Sequence, residues 1–394
     1  MNWRIENGLA LIGDQWSEHP VVVSDGRIAA SGDALPQAQM QHIDACGLLV
    51  LPGIVDIHGD AFERQIMPRP GVRFDMGLAL RDTDRQLVAN GITTAFYGVT
   101  VSWEPGLRSR EGARAVIDAL LELRDRLTCD TRLHLRWETF ALEAMEEVRE
   151  WLALKPAPIL AFNDHTTGSV LNGTIARSIG PIAERCGLSR EEYMALLDRV
   201  WCARDKVPAA IESLAASARE NGNVLLAHDE RSPEERAHFR ALGAVASEFP
   251  MNMETGEAAV RAGEDIILGA PNVVRGGSHT GALGAAQAIA AGLCTVLASD
   301  YHYPTLLRAA FALAAGDRHA LARAWPLVSG NPARVARLAD RGHLEVGQRA
   351  DLLLVDASEM AHPEVVATMV AGQIVHARRA FQQPAGVGVT PAAA

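Results

Sequence analysis

The stretch Leu51-Pro52-Gly53-Ile54-Val55-Asp56-Ile57-His58-Gly59-Asp60 joins an apolar run to two side chains of the types that bind metal ions. Its apolar part has the length and composition of a buried strand. Side chains two positions apart on a strand point to the same side, so His58 and Asp60 can hold one ion together. Taken alone, the pair also fits an ordinary turn in which Asp60 caps the backbone. A metal site is predicted only if other strand ends supply further ligands.

Further apolar segments follow this strand, and helical stretches separate them. The alternation predicts βα units on a parallel sheet, and about eight strands suit a closed (β/α)8 TIM-like barrel. A doubly wound open sheet is the alternative. A polar helical excursion, Leu188–Asp205, is a candidate lid or oligomer contact. The candidate strands are Gly53–His58, Ile92–Gly98, Arg132–Glu138, Pro158–Asp164, Asn223–His228, Ala244–Phe249, Asp265–Gly269 and Thr295–Ser299.

Both ends of the chain carry strand signals that the middle lacks. Asp25-Gly26 lies between β-rich segments and predicts a hairpin. We therefore expect one small β-sandwich domain built from residues 1–52 and 340–385, beside a catalytic barrel of residues 53–339. Residues 386–394 are rich in Pro, Gly and Ala and are predicted to form a loose tail.

The composition excludes several function classes. The chain has 394 residues, of which 48% are hydrophobic, and a net charge of −11. Such an acidic surface argues against nucleic acid and membranes as partners. Apolar runs fall short of the ~20 residues that a membrane helix needs, and the start lacks the pattern of a signal peptide. Five scattered cysteines argue against a disulfide framework, so we expect a cytoplasmic protein.

Residues of metal-ligand type stand at five of the candidate strand ends. In a parallel barrel these ends meet at one face. A single histidine or carboxylate there is more often a hydrogen-bonded residue or a helix cap, but five such ends are hard to obtain by chance. The nitrogen and oxygen donors suit one or two divalent ions, Zn²⁺ first, with Mn²⁺ or Fe²⁺ as alternatives. The predicted ligands are His58, Asp60, Glu138, His165, His228 and Asp300, with Asp164, Asp229 and His302 as spare candidates.

A second group of residues suits an anion. The run Gly269–Gly281 contains four glycines and a proline, which predict a loop whose N–H groups can approach a phosphate. Arg275 offers a bidentate fork, and Ser278 and His279 add donors. Arg69 lies in a Pro-rich stretch just after the first metal residues. Surface arginines on ordinary connections are the alternative, but together the two segments predict a small, anionic, phosphorylated substrate.

These motifs resemble those of the amidohydrolase superfamily, whose members are metal-dependent hydrolases. Leu51–His58 is similar to its first barrel strand, and Gly347–Leu352 to its returning sandwich strand. Within the superfamily the chain resembles the diphosphatases of bacterial phosphonate utilisation (the carbon–phosphorus lyase pathway), which release pyrophosphate from a ribosyl 5-triphosphate. The motifs that carry this resemblance are Pro68-Arg69-Pro70, Gly91–Thr94, Leu133–Glu138, Asp164-His165, Ser247–Pro250, Gly269–Gly281 and Ser299–Tyr301.

The resemblance implies a role for each candidate residue. Asp300 would also act as the general base that takes a proton from the attacking water. The implied first ion is held by His58, Asp60 and Asp300, the second by His165 and His228, and Glu138 bridges them. The implied substrate-binding residues are Arg69, Arg275, Ser278 and His279.

Gly59 departs from the diphosphatase pattern, in which threonine usually stands between the first two ligands. Residues 61–65 depart from it as well. A paralogue with another substrate is therefore an alternative. Two more alternatives are a deaminase or amidohydrolase that cleaves a C–N bond of a small anionic substrate, and a barrel kept as a scaffold without catalysis. We also expect a homo-oligomer, a dimer.

Overall fold

The computed structural model describes residues 1–30, 40–171, 175–277 and 283–378. Its described part contains eighteen strands in three sheets. The strands are β1 (Trp3–Glu6), β2 (Leu9–Ile12), β3 (Gln15–Ser17), β4 (Val21–Ser24), β5 (Arg27–Ala29), β6 (Gln41–Asp44), β7 (Leu48–Pro52), β8 (Ile54–Gly59), β9 (Ile92–Val101), β10 (Asp130–Glu138), β11 (Ile159–Asn163), β12 (Val224–His228), β13 (Ala244–Glu248), β14 (Asp265–Gly269), β15 (Val296–Ala298), β16 (Leu352–Asp356), β17 (Glu364–Val370) and β18 (Gln373–Ala377).

Strands β8 to β15 form one parallel sheet in which each strand neighbours the next in the chain. The first and last strands meet through a bridge between Gly59 and Asp300. The Asp60 N–H donates to the Asp300 carbonyl at 2.9 Å, and the Asp300 N–H donates to the His58 carbonyl at 2.9 Å. The predicted (β/α)8 barrel is confirmed. The unbroken strand order excludes the doubly wound alternative, whose order reverses within the sheet.

Each predicted barrel strand overlaps one of these eight, because apolar runs between helices were a sufficient signal. The alternating side chains of β10 show how one strand contributes both to the outer core and to the barrel interior. Leu133, Leu135 and Trp137 pack in the outer core beneath the helices. The residues between them point into the barrel, because side chains on a strand alternate in direction. One strand therefore supplies both core packing and the polar lining of the site.

Fifteen α-helices are described, most of them between barrel strands. Asp75, Ser109, Ser189, Ser232 and Asn252 each cap a helix by accepting a hydrogen bond from its first turn, as short polar residues do. The helices are α1 (Glu63–Ile66), α2 (Met76–Ala89), α3 (Arg110–Leu123), α4 (Met145–Leu152), α5 (His165–Leu171), α6 (Ile175–Cys186), α7 (Arg190–Trp201), α8 (Val207–Asn221), α9 (Pro233–Leu242), α10 (Met253–Arg261), α11 (Ala270–Arg275), α12 (Ala285–Ala290), α13 (Thr305–Ala314), α14 (Arg318–Ala324) and α15 (Gly330–Val335). Short 3₁₀ helices span Arg124–Arg126, Leu142–Ala144, Arg204–Lys206 and Trp325–Val328.

The two ends of the chain form a β-sandwich, as predicted. One sheet has the order β5-β4-β1-β6, and the other has the order β18-β17-β16-β7-β2-β3. Their facing side chains share one apolar core, and the Trp3 indole donates to the Gly372 carbonyl at 2.8 Å. The predicted Asp25-Gly26 hairpin is confirmed, since both residues have positive φ between β4 and β5. Domain limits at residues 52 and 340, and a tail at 386–394, stay predictions; the tail lies outside the described residues.

Helix α11 corrects one prediction, because the sequence analysis expects a loop across residues 269–281. Pro271 lies in the first turn, where its fixed φ suits a helix and its missing N–H leaves no bond unmade. Gly276, with φ +80°, ends the helix in the left-handed conformation. The proline and glycine thus act as start and stop signals for a short helix. Ser278 and His279 lie outside the described residues.

The predicted excursion Leu188–Asp205 is helical, and α7 occupies most of it. Its Tyr193 and Leu197 pack with Ile179 and Ala183 of α6 in a small apolar cluster. The excursion therefore forms a packed helical pair beside the barrel mouth. Among the described helices, none combines the length and the apolar character needed to cross a bilayer.

Candidate active site

The closure of the barrel positions the first group of predicted ligands. Ligand atoms of His58, Asp60 and Asp300 all lie within 4.8 Å of one another. His58 lies at the end of β8, Asp60 directly follows that strand, and Asp300 follows β15. Backbone hydrogen bonds at the closure of the barrel join the two strand ends. We call these three residues the first triad.

A buried carboxylate ties the same two strands together just below the first triad. Asp56 accepts hydrogen bonds from the Ser299 hydroxyl at 2.5 Å and from the Ser299 N–H at 3.1 Å. Burial raises the pKa of Asp56 to about 6. A Cβ built on Gly59 would lie 2.7 Å from Asp56 Oδ2 and 2.9 Å from Ser299 Oγ. The close approach of these groups accounts for glycine at a position where the resemblance leads one to expect threonine.

Replacing Gly59 with alanine is expected to lower the free energy of unfolding by about 1–3 kcal/mol, because the added methyl group overpacks a buried hydrogen-bonded contact. Denaturant unfolding of the metal-free protein measures the change. Gly180→Ala is the matched control, since nothing lies within 4 Å of a Cβ at that helical position. Equal stability of the two variants would contradict the packing argument.

A second triad comprises His165, His228 and Asp229, whose ligand atoms also lie within 4.8 Å of one another. Asp229 Oδ2 lies 3.0 Å from both His165 Nε2 and His228 Nδ1. The buried His228 Nδ1 makes no hydrogen bond with this oxygen or with any other described residue. These nitrogen and oxygen atoms are of the types that bind divalent ions, and they lie close enough together to share one.

The two triads adjoin. The ring centroids of His58 and His228 are 5.5 Å apart, and those of His165 and His228 are 6.0 Å apart. The predicted ligands at four strand ends therefore do come together at one face of the barrel. This arrangement offers one or two sites for a divalent ion.

Glu138 lies beside the second triad but not within it. Its Oε1 lies 2.5 Å from His165 Nδ1, on the ring edge opposite Asp229. Among the described residues, the acid that joins the second triad is Asp229, which the sequence analysis considers only as a spare candidate. That Glu138 bridges two ions stays a prediction.

Charges around the second triad favour a cation. The Glu138 carboxylate and, with burial opposing, Asp229 raise the pKa of His165 to about 10. In the metal-free protein this imidazole is therefore protonated, and its single positive charge offsets only one of the two negative charges of Glu138 and Asp229. A divalent ion that displaces the proton would meet the same negative surroundings, so the donor set fits a metal.

Two arginines set the charge of the first triad. Burial raises the pKa of the Asp60 carboxyl, but Arg136 and Arg108 outweigh it and hold that pKa below its usual range. Arg136 Nη1 lies 3.1 Å and Arg108 Nη2 lies 3.7 Å from Asp60 Oδ2. Burial and the nearby Asp60 raise the pKa of Asp300 to about 7. The two carboxyls of one triad therefore differ: one stays ionised, and the other is poised to exchange a proton.

Glu248, at the end of β13, supports His58 from below. Its Oε1 accepts a hydrogen bond from His58 Nδ1–H at 2.8 Å, which leaves Nε2 of that ring for the metal site. Its other oxygen lies 3.7 Å from His134 Nε2, and neither of these buried atoms has a hydrogen-bond partner among the described residues. Burial lowers the pKa of His134 to about 3, so this ring is neutral.

Glu248, Arg136 and Arg108 were not predicted from the sequence. Glu248 had a usable signal, because it ends the sixth barrel strand as the predicted ligands end theirs. Arg136 had one too, since it stands two positions before Glu138 on a strand and so shares its face. Arg108 had none, because it follows β9 within an irregular segment and reaches Asp60 only in the folded chain.

The second triad opens into a cleft with a volume of about 430 Å³. Glu138, His165 and Asp229 line one part of it, and Trp103 and residues of α6 and α7 line the other. Three arginines also face the cleft, namely Arg108, Arg185 and Arg231. The excursion thus contributes a wall of the cleft; its role as a lid or an oligomer contact stays a prediction.

Two predicted substrate-binding residues lie within the described part of the chain. Arg69 lines a smaller cavity beside the cleft. Arg275 ends helix α11, is exposed, and donates to the Tyr301 hydroxyl at 3.2 Å. It is not among the residues that line either cavity.

The barrel, its paired ligand triads and the cleft define the class of a metal-dependent hydrolase with a TIM-like catalytic domain. A sequence profile of the amidohydrolase family matches residues 202–376. The chain is 32% identical over 347 residues to the alpha-D-ribose 1-methylphosphonate 5-triphosphate diphosphatase of Escherichia coli, a match that covers 84% of this chain and 89% of that protein. The chain belongs to the amidohydrolase superfamily.

Other similar proteins are named for other activities. The chain is 27% identical over 405 residues to an imidazolonepropionase of Mycolicibacterium smegmatis, which covers 90% of each protein. The N-isopropylammelide isopropylaminohydrolase of Burkholderia multivorans has a similar structure, with a TM-score of 0.65 at 21% identity over 95% of this chain and 98% of that one. At that identity the structural likeness concerns the fold alone.

Proposed function

We propose that this hydrolase cleaves a phosphoanhydride and releases pyrophosphate from a ribosyl 5-triphosphate of the ribose 1-methylphosphonate type. The observation that carries the proposal is the cleft, where His165 and Asp229 of the second triad and three arginines face the same space. Guanidinium groups match the geometry and charge of phosphate oxygens. The similarity to a diphosphatase over most of both chains supports the same reaction.

The first and second triads would hold one or two divalent ions, with Zn²⁺ as the first expectation. A divalent ion in such a site lowers the pKa of a bound water to about 7 and so supplies a nucleophile at neutral pH. Asp300 would accept a proton from the attacking water on its carboxylate. Its φ of +55° and its bridge to β8 fix the carboxyl group beside Asp60.

The arginines would act on the phosphate groups. Arg108 and Arg231 line the cleft, and we expect their fixed charges to stabilise, without reorganisation, the negative charge that develops as the P–O bond breaks. They also offset the field of a protein whose net charge is −11. Pyrophosphate leaves as the product, and a water oxygen joins the remaining phosphoryl group. Function as a cytoplasmic homodimer is part of the proposal.

Cleavage of a C–N bond is the second candidate, because the imidazolonepropionase relative spans 90% of this chain. That reaction needs the same triads and a proton acceptor such as Asp300, but not a group of arginines at the cleft. It would release ammonia, an amine or a ring-opened product instead of pyrophosphate.

A screen of the zinc-loaded protein is expected to show pyrophosphate release from ribosyl 5-triphosphates, with slower release from nucleoside triphosphates. Coupled detection of pyrophosphate and of ammonia in parallel wells separates the two candidates, and metal analysis of the same sample gives the identity and number of ions. Release of ammonia, with no pyrophosphate from any triphosphate, would replace the first proposal by the second.

A further inference from the structure

A second cavity adjoins the cleft and has an unusual charge. Its volume is about 200 Å³, and it lies between the start of α1 and the segment that follows β9. Four arginines line it, namely Arg64, Arg69, Arg108 and Arg185, against the single carboxylate of Glu63. The formal charge is therefore 4 − 1 = +3, in a protein with a net charge of −11. We call this cavity the arginine pocket.

Two of these arginines already have acidic partners. Arg108 forms a bidentate pair with Glu63, with Nη2 2.7 Å from Oε2, and Arg185 pairs with Glu104 at 2.5 Å. No carboxylate of the described residues lies within 4 Å of the Arg64 or Arg69 guanidinium groups. The pocket therefore holds two positive charges that no described acid neutralises.

The walls of the pocket limit the movement of these arginines. Pro68 and Pro70 flank Arg69, and a proline ring fixes φ on either side of it. The Arg64 guanidinium lies over the Tyr301 ring, 5.7 Å from its centroid, and is held there by a cation–π contact. An anion entering the pocket would therefore meet an Arg64 guanidinium whose direction is already set and an Arg69 on a stiff backbone, which reduces the entropy lost on binding.

The arginine pocket is continuous with the cleft. Arg108 and Arg185 line both cavities. The Arg108 guanidinium lies 2.7 Å from Glu63 on the pocket side and 3.7 Å from Asp60 of the first triad. A single substrate can thus have one anionic group at the triads and another beyond Arg108.

We propose that the arginine pocket binds a second anionic group of the substrate, a phosphate or phosphonate that is not cleaved. The inference rests on the proposed function and deepens it by assigning the two ends of the substrate to two cavities. Substrates without the second anionic group would leave Arg64 and Arg69 unpaired and would be hydrolysed with a lower kcat/KM.

The test compares the double variant Arg64→Met/Arg69→Met with wild type on two substrates. One is a ribose 5-triphosphate with a phosphonate at C1, and the other lacks the C1 substituent. Wild type is expected to prefer the first substrate by at least about tenfold in kcat/KM, and the double variant to lose that preference, mainly through KM. Arg81→Met, an exposed arginine on α2, is the control. If the double variant keeps the preference, the proposed role of the arginine pocket is wrong, but the proposed diphosphatase activity is not affected.

Titration of the metal-free protein with inorganic phosphate separates failure of the pocket from failure of the proposed function. Wild type and Arg81→Met are expected to bind phosphate at least about tenfold more tightly than the double variant, because two unpaired guanidinium groups are lost. Equal binding by all three proteins would overturn the pocket, whatever the reaction. If wild type releases no pyrophosphate but phosphate binding follows the expected order, the proposed function fails and the anion site stands.

Discussion

Replacing Asp300 with asparagine is expected to lower kcat for pyrophosphate release by a factor of about 10²–10⁴, the range that general-base groups contribute. The amide cannot accept the proton of the attacking water. Asparagine, like aspartate, is among the non-glycine residues that best tolerate the left-handed φ of +55° at this position, so the bridge to Gly59 should persist. Steady-state and single-turnover kinetics of the metal-loaded variant measure the loss.

The matched control for this variant is Asp265→Asn. Asp265 begins β14 at the opposite end of the barrel and pairs with Arg334 at 2.8 Å, so the same substitution there should leave kcat close to that of wild type. An unchanged kcat in Asp300→Asn would remove this residue from the mechanism. A loss of kcat in both variants would point to a general effect on the barrel.

The pH dependence of stability checks that the Asp300 variant retains its fold. Burial and Asp60 raise the pKa of Asp300 in the native state from 3.8 to about 7. The native state then holds this proton more tightly than the unfolded chain, so the group destabilises the metal-free protein increasingly as the pH rises from 3.8 towards 7. Asparagine lacks the ionisation. Above this range the metal-free variant is expected to be at least as stable as wild type.

The barrel was predictable because its signals are local. Each of the eight strands is an apolar run between helical stretches, and a run such as Val224–His228 needs no distant partner to be recognised. The Asp25-Gly26 turn is similarly local. Helix α11 was missed although its signals are local too, because glycines on both sides of Pro271 gave the segment the composition of a loop.

The candidate site was predictable as a set of strand ends but not as a set of contacts. A histidine that ends a parallel strand must lie near the other ends, which is why His58, His165 and His228 meet. Which acid joins which histidine depends on side-chain direction. Asp229 has φ +59°, and its carboxylate reaches His165 and His228 while Glu138 takes the far edge of His165. No sequence pattern specifies that choice.

Replacing Glu248 with glutamine is expected to weaken metal binding, and with it activity, by about 10–100-fold. Glu248 holds the His58 ring through Nδ1 at 2.8 Å and directs Nε2 towards the first triad. The glutamine carbonyl oxygen can still accept the hydrogen bond from His58 Nδ1–H, but it lacks the negative charge that makes His58 a stronger ligand. Competition with a metal chelator of known affinity measures the change.

The stability of the metal-free Glu248→Gln protein is not expected to fall with its metal affinity. This difference would show that Glu248 positions His58 and is not needed for the fold itself. The buried Glu248 Oε2 and His134 Nε2 lie 3.7 Å apart without partners among the described residues. An amide N–H of glutamine can donate to that neutral ring, whereas a carboxylate offers no proton to it. The metal-free Glu248→Gln protein should therefore unfold at a denaturant concentration no lower than wild type, while Glu248→Ala should lose both stability and metal.

Glu257→Gln, at an exposed acid on α10, controls for the substitution itself. Wild-type metal affinity in Glu248→Gln would show that the charge on Glu248 does not tune His58.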